Sequence, residues 1–147
     1  MAQQENLKTS AQRNLAIERM IRVNQAGEFG AKRIYAGQLA VMGDRTPAAR
    51  SIAHMAEQEE RHLNAFDKMM AERGVRPTAL HPIWSAAGFA LGAVSAAVSP
   101  EAAMACTVAV ETEIDRHYSE QLAEIGDSDP ELSAMIADFQ ADEQAHK

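Results

Sequence analysis

Apolar residues along this chain recur at helical spacing, and carboxylates interrupt the recurrence where a core residue is expected. On the first long segment Ile21, Glu28, Tyr35 and Met42 repeat every seven residues and so share one helix face. Ile52, Met55, Glu59, His62, Phe66 and Met69 follow helical spacing on a second segment. Met104, Val108, Glu111, Tyr118 and Leu122 form a third stripe, and Leu132, Ile136, Phe139, Glu143 and His146 a fourth. No segment alternates with period two over a useful length, so the chain reads as all-α.

The breaks between stripes are marked. Ser10 is positioned to cap a helix over residues 11–42, which leaves residues 1–10 as a polar tail ahead of a helical domain at 11–147. Thr46 and Pro47 begin a second helix that stops at Gly74. Residues 75–82 contain two prolines and are expected to cross the bundle as a loop. A short helix over 82–98 follows. Ser99 and Pro100 then start a helix to about Ile125, and Asp129 and Pro130 start the last one. The expected architecture is an antiparallel four-helix bundle with an additional short apolar helix.

Each of the four stripes carries one glutamate: Glu28, Glu59, Glu111 and Glu143. Burying an ionised carboxylate without a partner costs several kcal/mol, so each requires a cation nearby. No Lys or Arg recurs on the same faces. Glu59 and Glu143 each belong to an E-x-x-H pair, with His62 and His146, and residues three apart on a helix lie side by side. Glu28 precedes Glu59 by 31 residues and Glu111 precedes Glu143 by 32, so the arrangement is stated twice. One Glu on each of two helices plus E-x-x-H on two others is the known ligand pattern of ferritin-like di-iron or di-manganese proteins. Carboxylate oxygens with one imidazole per metal suit iron or manganese better than zinc. Glu57, Glu60 and Glu113 fall off these faces and read as solvated, and His54 and His81 read as surface or loop residues.

Composition narrows the partners. A net charge of −7 argues against nucleic acid, and no polybasic stretch would hold the chain on anionic lipid by charge alone. The single cysteine, Cys106, lies in an apolar run and forms no intramolecular disulfide. The stretch from His81 to Pro100 has no charged residue, and Gly88 and Gly92 form G-x-x-x-G. That pattern serves close helix packing or membrane contact equally. Trp84, Phe89 and Leu91 suit an interfacial helix better than a spanning one.

Several segments resemble the demethoxyubiquinone hydroxylase family, di-iron monooxygenases of ubiquinone biosynthesis. They are R-V-N-Q-A-G-E-F-G-A at 22–31, I-Y-A-G-Q at 34–38, Q-E-E-R-H-L at 58–63 and R-P-T at 76–78. A-G-F-A-L-G-A at 87–93, A-A-M-A-C-T-V-A-V-E at 102–111 and D-E-Q-A-H at 142–146 complete the resemblance. It covers nearly the whole chain from about Arg13. It implies a ferritin-like bundle holding two irons, with manganese as a substitute, through Glu28, Glu59, His62, Glu111, Glu143 and His146. Glu59 and Glu143 would bridge the irons and act in catalysis; Glu28 with His62, and Glu111 with His146, would complete one iron each. His117 and Tyr118 resemble a pair near the site associated with electron delivery. Members usually continue through a further C-terminal helix, whereas this sequence stops at Lys147, so the expectation is either a shortened chain or some other support for that end.

The implied reaction is hydroxylation of the quinol ring of a demethoxyubiquinone precursor by O2, with one oxygen atom leaving as water. The implied partners are an isoprenoid quinone or quinol substrate, a membrane surface, NADH or the quinol itself as reductant, and a homodimer or an accessory ubiquinone-biosynthesis protein. The implied location is the cytoplasmic face of a bacterial cell membrane, or the mitochondrial inner membrane in a eukaryote. A ferritin-like iron-binding or storage protein would use the same six ligands, but the uncharged third helix is unlike the polar outer face of a cage. A rubrerythrin-like peroxidase usually carries extra cysteine-bound iron, which one cysteine cannot supply. A quinone-binding or structural helical module is the remaining alternative.

Overall fold

The structure, a computed structural model, describes residues 2–145, with side chains from Thr9 onward. These residues fold into α1 (Ala2–Met42), α2 (Pro47–Arg73), α3 (His81–Val98), α4 (Pro100–Ile125) and α5 (Pro130–Ala145), with no strand among them. The sequence punctuation acts as expected at most boundaries. The Thr46 hydroxyl accepts from Ala49 N at 3.0 Å, the Ser99 hydroxyl from Ala102 N at 2.9 Å and the Asp129 carboxylate from Leu132 N at 3.1 Å. Gly74 ends α2 at φ +66°, a left-handed conformation that glycine adopts without a Cβ clash. At the other end, Ser10 is not a cap. Helix α1 already includes residues 2–10, because that segment has no Gly or Pro to stop a helix.

Two apolar clusters divide the interior. One gathers Ile21, Phe66, Met69, Tyr118, Ile125, Leu132, Ile136 and Phe139; the other gathers Ala31, Ile34, Tyr35, Ile52, Met55, Ala96 and Ala103. Helices α1 and α5 run from the first cluster toward the second, whereas α2 and α4 run back. Since α2 and α4 point the same way, the chain must return along the bundle between them. The expected crossing loop does not do this. Val75 stays in the first cluster, and α3 makes the return journey parallel to α1. Its 18 residues reach about 27 Å at 1.5 Å per residue, enough to span the bundle.

Helix α3 lies backbone to backbone on α1. A Cβ on Gly92 would come 1.9 Å from Ile34 O, and one on Gly37 would come 2.1 Å from Phe89 O. The glycines therefore serve packing. Away from that contact α3 leaves Ile83, Leu91, Val94 and Val98 exposed, and Trp84, seated on α1, is half exposed. Helix α4 turns a different face inward from the one expected. Ala103 and Thr107 are buried while Val108 is exposed, because Thr107 and Ala103 close a polar contact with Gln38 of α1. Gln38 donates to Ala103 O at 2.9 Å, and the Thr107 hydroxyl donates to Gln38 at 3.4 Å.

Candidate metal centre

The glutamate layer lies between the two apolar clusters. Glu28 of α1, Glu59 and His62 of α2, and Glu143 of α5 each bring one ligand atom within 4.8 Å of the others, and all four are buried. His62 Nδ1 stands 3.6 Å from Glu28 Oε2, 3.6 Å from Glu59 Oε2 and 3.3 Å from Glu143 Oε1. Glu28 Oε2, both Glu59 oxygens and His62 Nδ1 make no hydrogen bond of normal geometry. Buried polar atoms left in this state are rare and costly unless a ligand satisfies them.

Four of the six expected ligands thus meet at one point. Glu111 is buried on α4 and its charge is felt at Glu59, but it lies outside that tight group and accepts the Tyr35 hydroxyl. His146 falls outside the described residues. Tyr118 reaches the centre and donates to Glu28. His117 does not join the cluster. It lines an adjoining cavity, with Nδ1 3.1 Å from Glu113 O of the preceding turn. Among the other candidates, Glu57, Glu60 and His54 are exposed, and Glu60 pairs with Lys32 at 3.3 Å. Glu113 pairs with Arg116, and His81 stacks on Phe29 with ring centroids 3.8 Å apart.

The electrostatics of the site follow from several buried carboxylates crowded around one imidazole. Burial pushes the Glu59 carboxyl well above the usual carboxylate range, and the adjoining Glu28 carboxylate pushes the same way. Burial also opposes ionisation of Glu28, but contacts with Glu59, His62 and Tyr118 outweigh it and hold Glu28 below its ordinary value. Burial disfavours a charged imidazole, yet the Glu28 and Glu59 carboxylates overcome it and push His62 up to about 10. Divalent metal ions would replace these protons with fixed positive charge. The donor set of carboxylates and one imidazole fits hard, oxygen-preferring metals.

Sequence reasoning missed several supporting residues. Tyr35 was placed on the inner face without a role, although Glu28–Tyr35 and Glu111–Tyr118 share one spacing of seven residues. The structure crosses these pairs: each tyrosine donates to the glutamate of the other helix. Burial and the facing carboxylates raise both phenols above their ordinary value, so they remain donors. Asp142 lies 2.8 Å from His62 Nε2 and also pairs with Arg61, while Phe139 stacks on the imidazole at 4.0 Å. Below Glu28, Asn24 donates to Gln121 at 2.7 Å in a buried contact between α1 and α4.

A cavity of about 780 Å³ opens beside the centre, within the roughly 300–1,000 Å³ typical of small-molecule sites. Leu15, Val23, Leu80 and Ile114 give it apolar walls, and Glu28 and Tyr118 form its inner end.

Residues 15–147 match the family described as "Ubiquinone biosynthesis protein COQ7". The chain is 51% identical to the 3-demethoxyubiquinol 3-hydroxylase of Rhodospirillum rubrum over 131 residues, or 89% of this chain and 62% of that protein. It is 53% identical to the NADPH-dependent 3-demethoxyubiquinone 3-hydroxylase, mitochondrial, of Dictyostelium discoideum over 133 residues, 88% of this chain and 61% of the relative. The Homo sapiens protein of the same description is 48% identical over 135 residues, again 89% and 62%. The chain spans about three fifths of the length of these curated relatives.

Proposed function

The chain belongs to the ubiquinone biosynthesis protein COQ7 family, and from that premise we propose that it hydroxylates the quinol ring of a demethoxyubiquinone precursor. The observation that carries this reading is the junction of the buried carboxylate–imidazole group with an apolar cavity through Glu28 and Tyr118. Glu28, Glu59, His62 and Glu143 would hold metal, and Glu111 and His146 would complete a second ion, with Glu59 and Glu143 shared between the two. Two irons bound there, or manganese in their place, would supply the activation of O2 that the chain's own side chains cannot.

The protein's part is positioning. Tyr118 and Tyr35 hold Glu28 and Glu111 from opposite helices and fix where their free oxygens point. Asp142 accepts from His62 Nε2, which would leave Nδ1 as the ring atom available to a metal. The apolar walls exclude bulk water and receive the ring, placing its edge against Glu28 and Tyr118. In the overall reaction one oxygen atom of O2 enters the ring and the other leaves as water, using two electrons and two protons. His117 lines the cavity wall, and its proposed role is to assist electron delivery from NADH, NADPH or the quinol. Relatives are named NADPH-dependent, and this chain has no G-x-G-x-x-G to bind a nicotinamide through a Rossmann fold.

The exposed apolar row of α3 fits the surface of a membrane from which such a substrate is drawn. The site lies on the cytoplasmic face of a bacterial membrane or on the mitochondrial inner membrane, the latter in keeping with the mitochondrial names of relatives. The test is anaerobic loading with Fe(II), elemental analysis, then addition of a short-chain demethoxyubiquinol and O2 with mass-spectrometric detection of the hydroxylated ring. About two irons per chain and a product carrying one atom of labelled O2 are expected. Iron uptake far beyond two with no product would replace this reading by iron storage.

A further inference from the structure

Two apolar cavities adjoin along α1 and share four lining residues. The larger, of about 780 Å³, ends at Glu28 and Tyr118. The smaller, of about 270 Å³, lies between α3 and α4 against Ala31, Ile34, Gly88, Leu91 and Val110, and it reaches none of the four clustered ligands. Gly27, Trp84, Glu113 and Ile114 line both. Of these, Gly27 has no side chain, Glu113 is exposed and paired with Arg116, and Ile114 packs into the core clusters. Trp84 is therefore the α3 side chain common to both cavities.

Its indole is seated by α1. Trp84 Nε1 donates to Ala26 O at 2.9 Å, and a Cβ on Gly30 would lie only 2.6 Å from that nitrogen. The glycine thus makes room for the indole edge. A ligand whose ring sits at Glu28 and Tyr118 can extend its chain in two directions. One leads along Arg19 and Arg22, which line the larger cavity. The other passes Trp84 into the smaller cavity, whose lining is apolar apart from Glu113. An uncharged hydrocarbon chain gains by the second path, since burial against apolar surface is favourable and burial against charged groups is not.

We propose that Trp84 determines specificity for the isoprenoid chain, with the ring in the larger cavity and the first isoprene units packed past the indole into the smaller one. This rests on the hydroxylase reading, because the quinol ring is what anchors the ligand at Glu28.

The test measures binding of demethoxyubiquinone analogues with none, one, two or three isoprene units to the iron-loaded full chain without reductant, by calorimetry. In the wild type, affinity should rise with the first two units and then level off. Trp84→Ala should lose most of that gain, about tenfold at two units, while affinity for the ring-only analogue changes less than about twofold. Trp84→Phe should retain most of it. Gly30→Ala, which displaces the indole without removing it, should reproduce the loss and does not depend on Trp84→Ala folding normally. Trp84 is the single tryptophan, so quenching of its emission by chain-bearing quinones gives a second, direct readout in the wild type. A chain-length dependence unchanged in both Trp84→Ala and Gly30→Ala would overturn the proposal and leave the hydroxylase reading intact. A lack of binding by every quinone would overturn both.

Discussion

His62 turns Nδ1 into the glutamate cluster while Nε2 lies 2.8 Å from Asp142 on the facing helix. Asp142 is itself held by Arg61, and the imidazole face rests on Phe139. The orientation of this candidate metal-binding histidine is thus set by three residues outside the tight donor group. Replacing Asp142 by Ala should weaken Fe(II) or Mn(II) binding by about 10–100-fold, and Asp142→Asn, which keeps an acceptor oxygen, should weaken it less. Calorimetric titration reads this directly. Equal affinity in Asp142→Ala and wild type would show that Phe139 alone fixes the ring.

The crossed tyrosines give a second prediction. Tyr118→Phe removes the hydroxyl donated to buried Glu28, and Tyr35→Phe removes the one donated to Glu111. Loss of one partner from a buried hydrogen bond costs roughly 1–3 kcal/mol. Urea unfolding of the metal-free protein should show that loss in each variant. The Tyr118 variant should also bind metal more weakly, because Glu28 belongs to the tight group. A change below about 0.5 kcal/mol in both would mean the bonds do not form in solution.

The close seat of α3 on α1 separates glycines that are needed from one that is not. Gly92→Ala and Gly37→Ala both place a methyl against backbone at about 2 Å, which neither helix can avoid without moving apart. Each should destabilise by about 1–3 kcal/mol or more. Gly27→Ala meets nothing within 4 Å and should stabilise by roughly 0.5–1 kcal/mol through helix propensity. Thermal unfolding of the three variants checks the order. A stable Gly92→Ala protein would contradict the packing of α3.

The outward row of α3 carries the membrane prediction. Phe89 is less suitable than the sequence suggests, because Arg33 lies over its ring at 5.0 Å and it packs toward α1. Ile83 and Val94 are exposed and packed against no core cluster. Changing both to Asp should release the chain from liposomes with helicity unchanged. If wild type does not sediment with liposomes, the row is a protein contact instead.

Much of this was legible in the sequence because helical periodicity and cap residues act locally. Thr46, Ser99 and Asp129 each announced a helix, and the seven-residue spacing placed Glu28 and Tyr35 on one buried face. What stayed hidden depends on which helix faces which. Val108 and Thr107 are neighbours, and only the position of Gln38 on α1 decides that the polar one turns inward. The partnership of Asp142 with His62 spans 80 residues and has no local sign. The return path of α3 likewise follows from the shared direction of α2 and α4, which no spacing within one helix reveals. Ser10 misled for the opposite reason, since a good cap residue also sits inside a helix when nothing stops the chain before it.

The start of α5 offers a prediction with a defined pH dependence. Asp129 lies 2.6 and 3.2 Å from the Arg73 guanidinium at the end of α2 and also caps α5 through Leu132 N. Both groups are largely shielded from solvent, and the Arg73 contact holds the Asp129 carboxyl below its ordinary value even though burial opposes this. A carboxylate whose folded value is depressed contributes stability above its unfolded value, near 3.9, and loses it as pH falls through the folded value. Asp129→Ala should therefore cost about 1–2 kcal/mol at pH 7, from the cap and the charge-assisted bonds together. The difference between variant and wild type should shrink steadily as pH drops below about 4. Asp129→Asn keeps a capping oxygen but not the charge, so it should lie between the two at pH 7 and lose the pH dependence of the difference. Urea unfolding of all three proteins across this range is the measurement. A cost for Asp129→Ala that stays constant down to pH 3 would mean that the Arg73 pair adds nothing and the cap carries the whole effect.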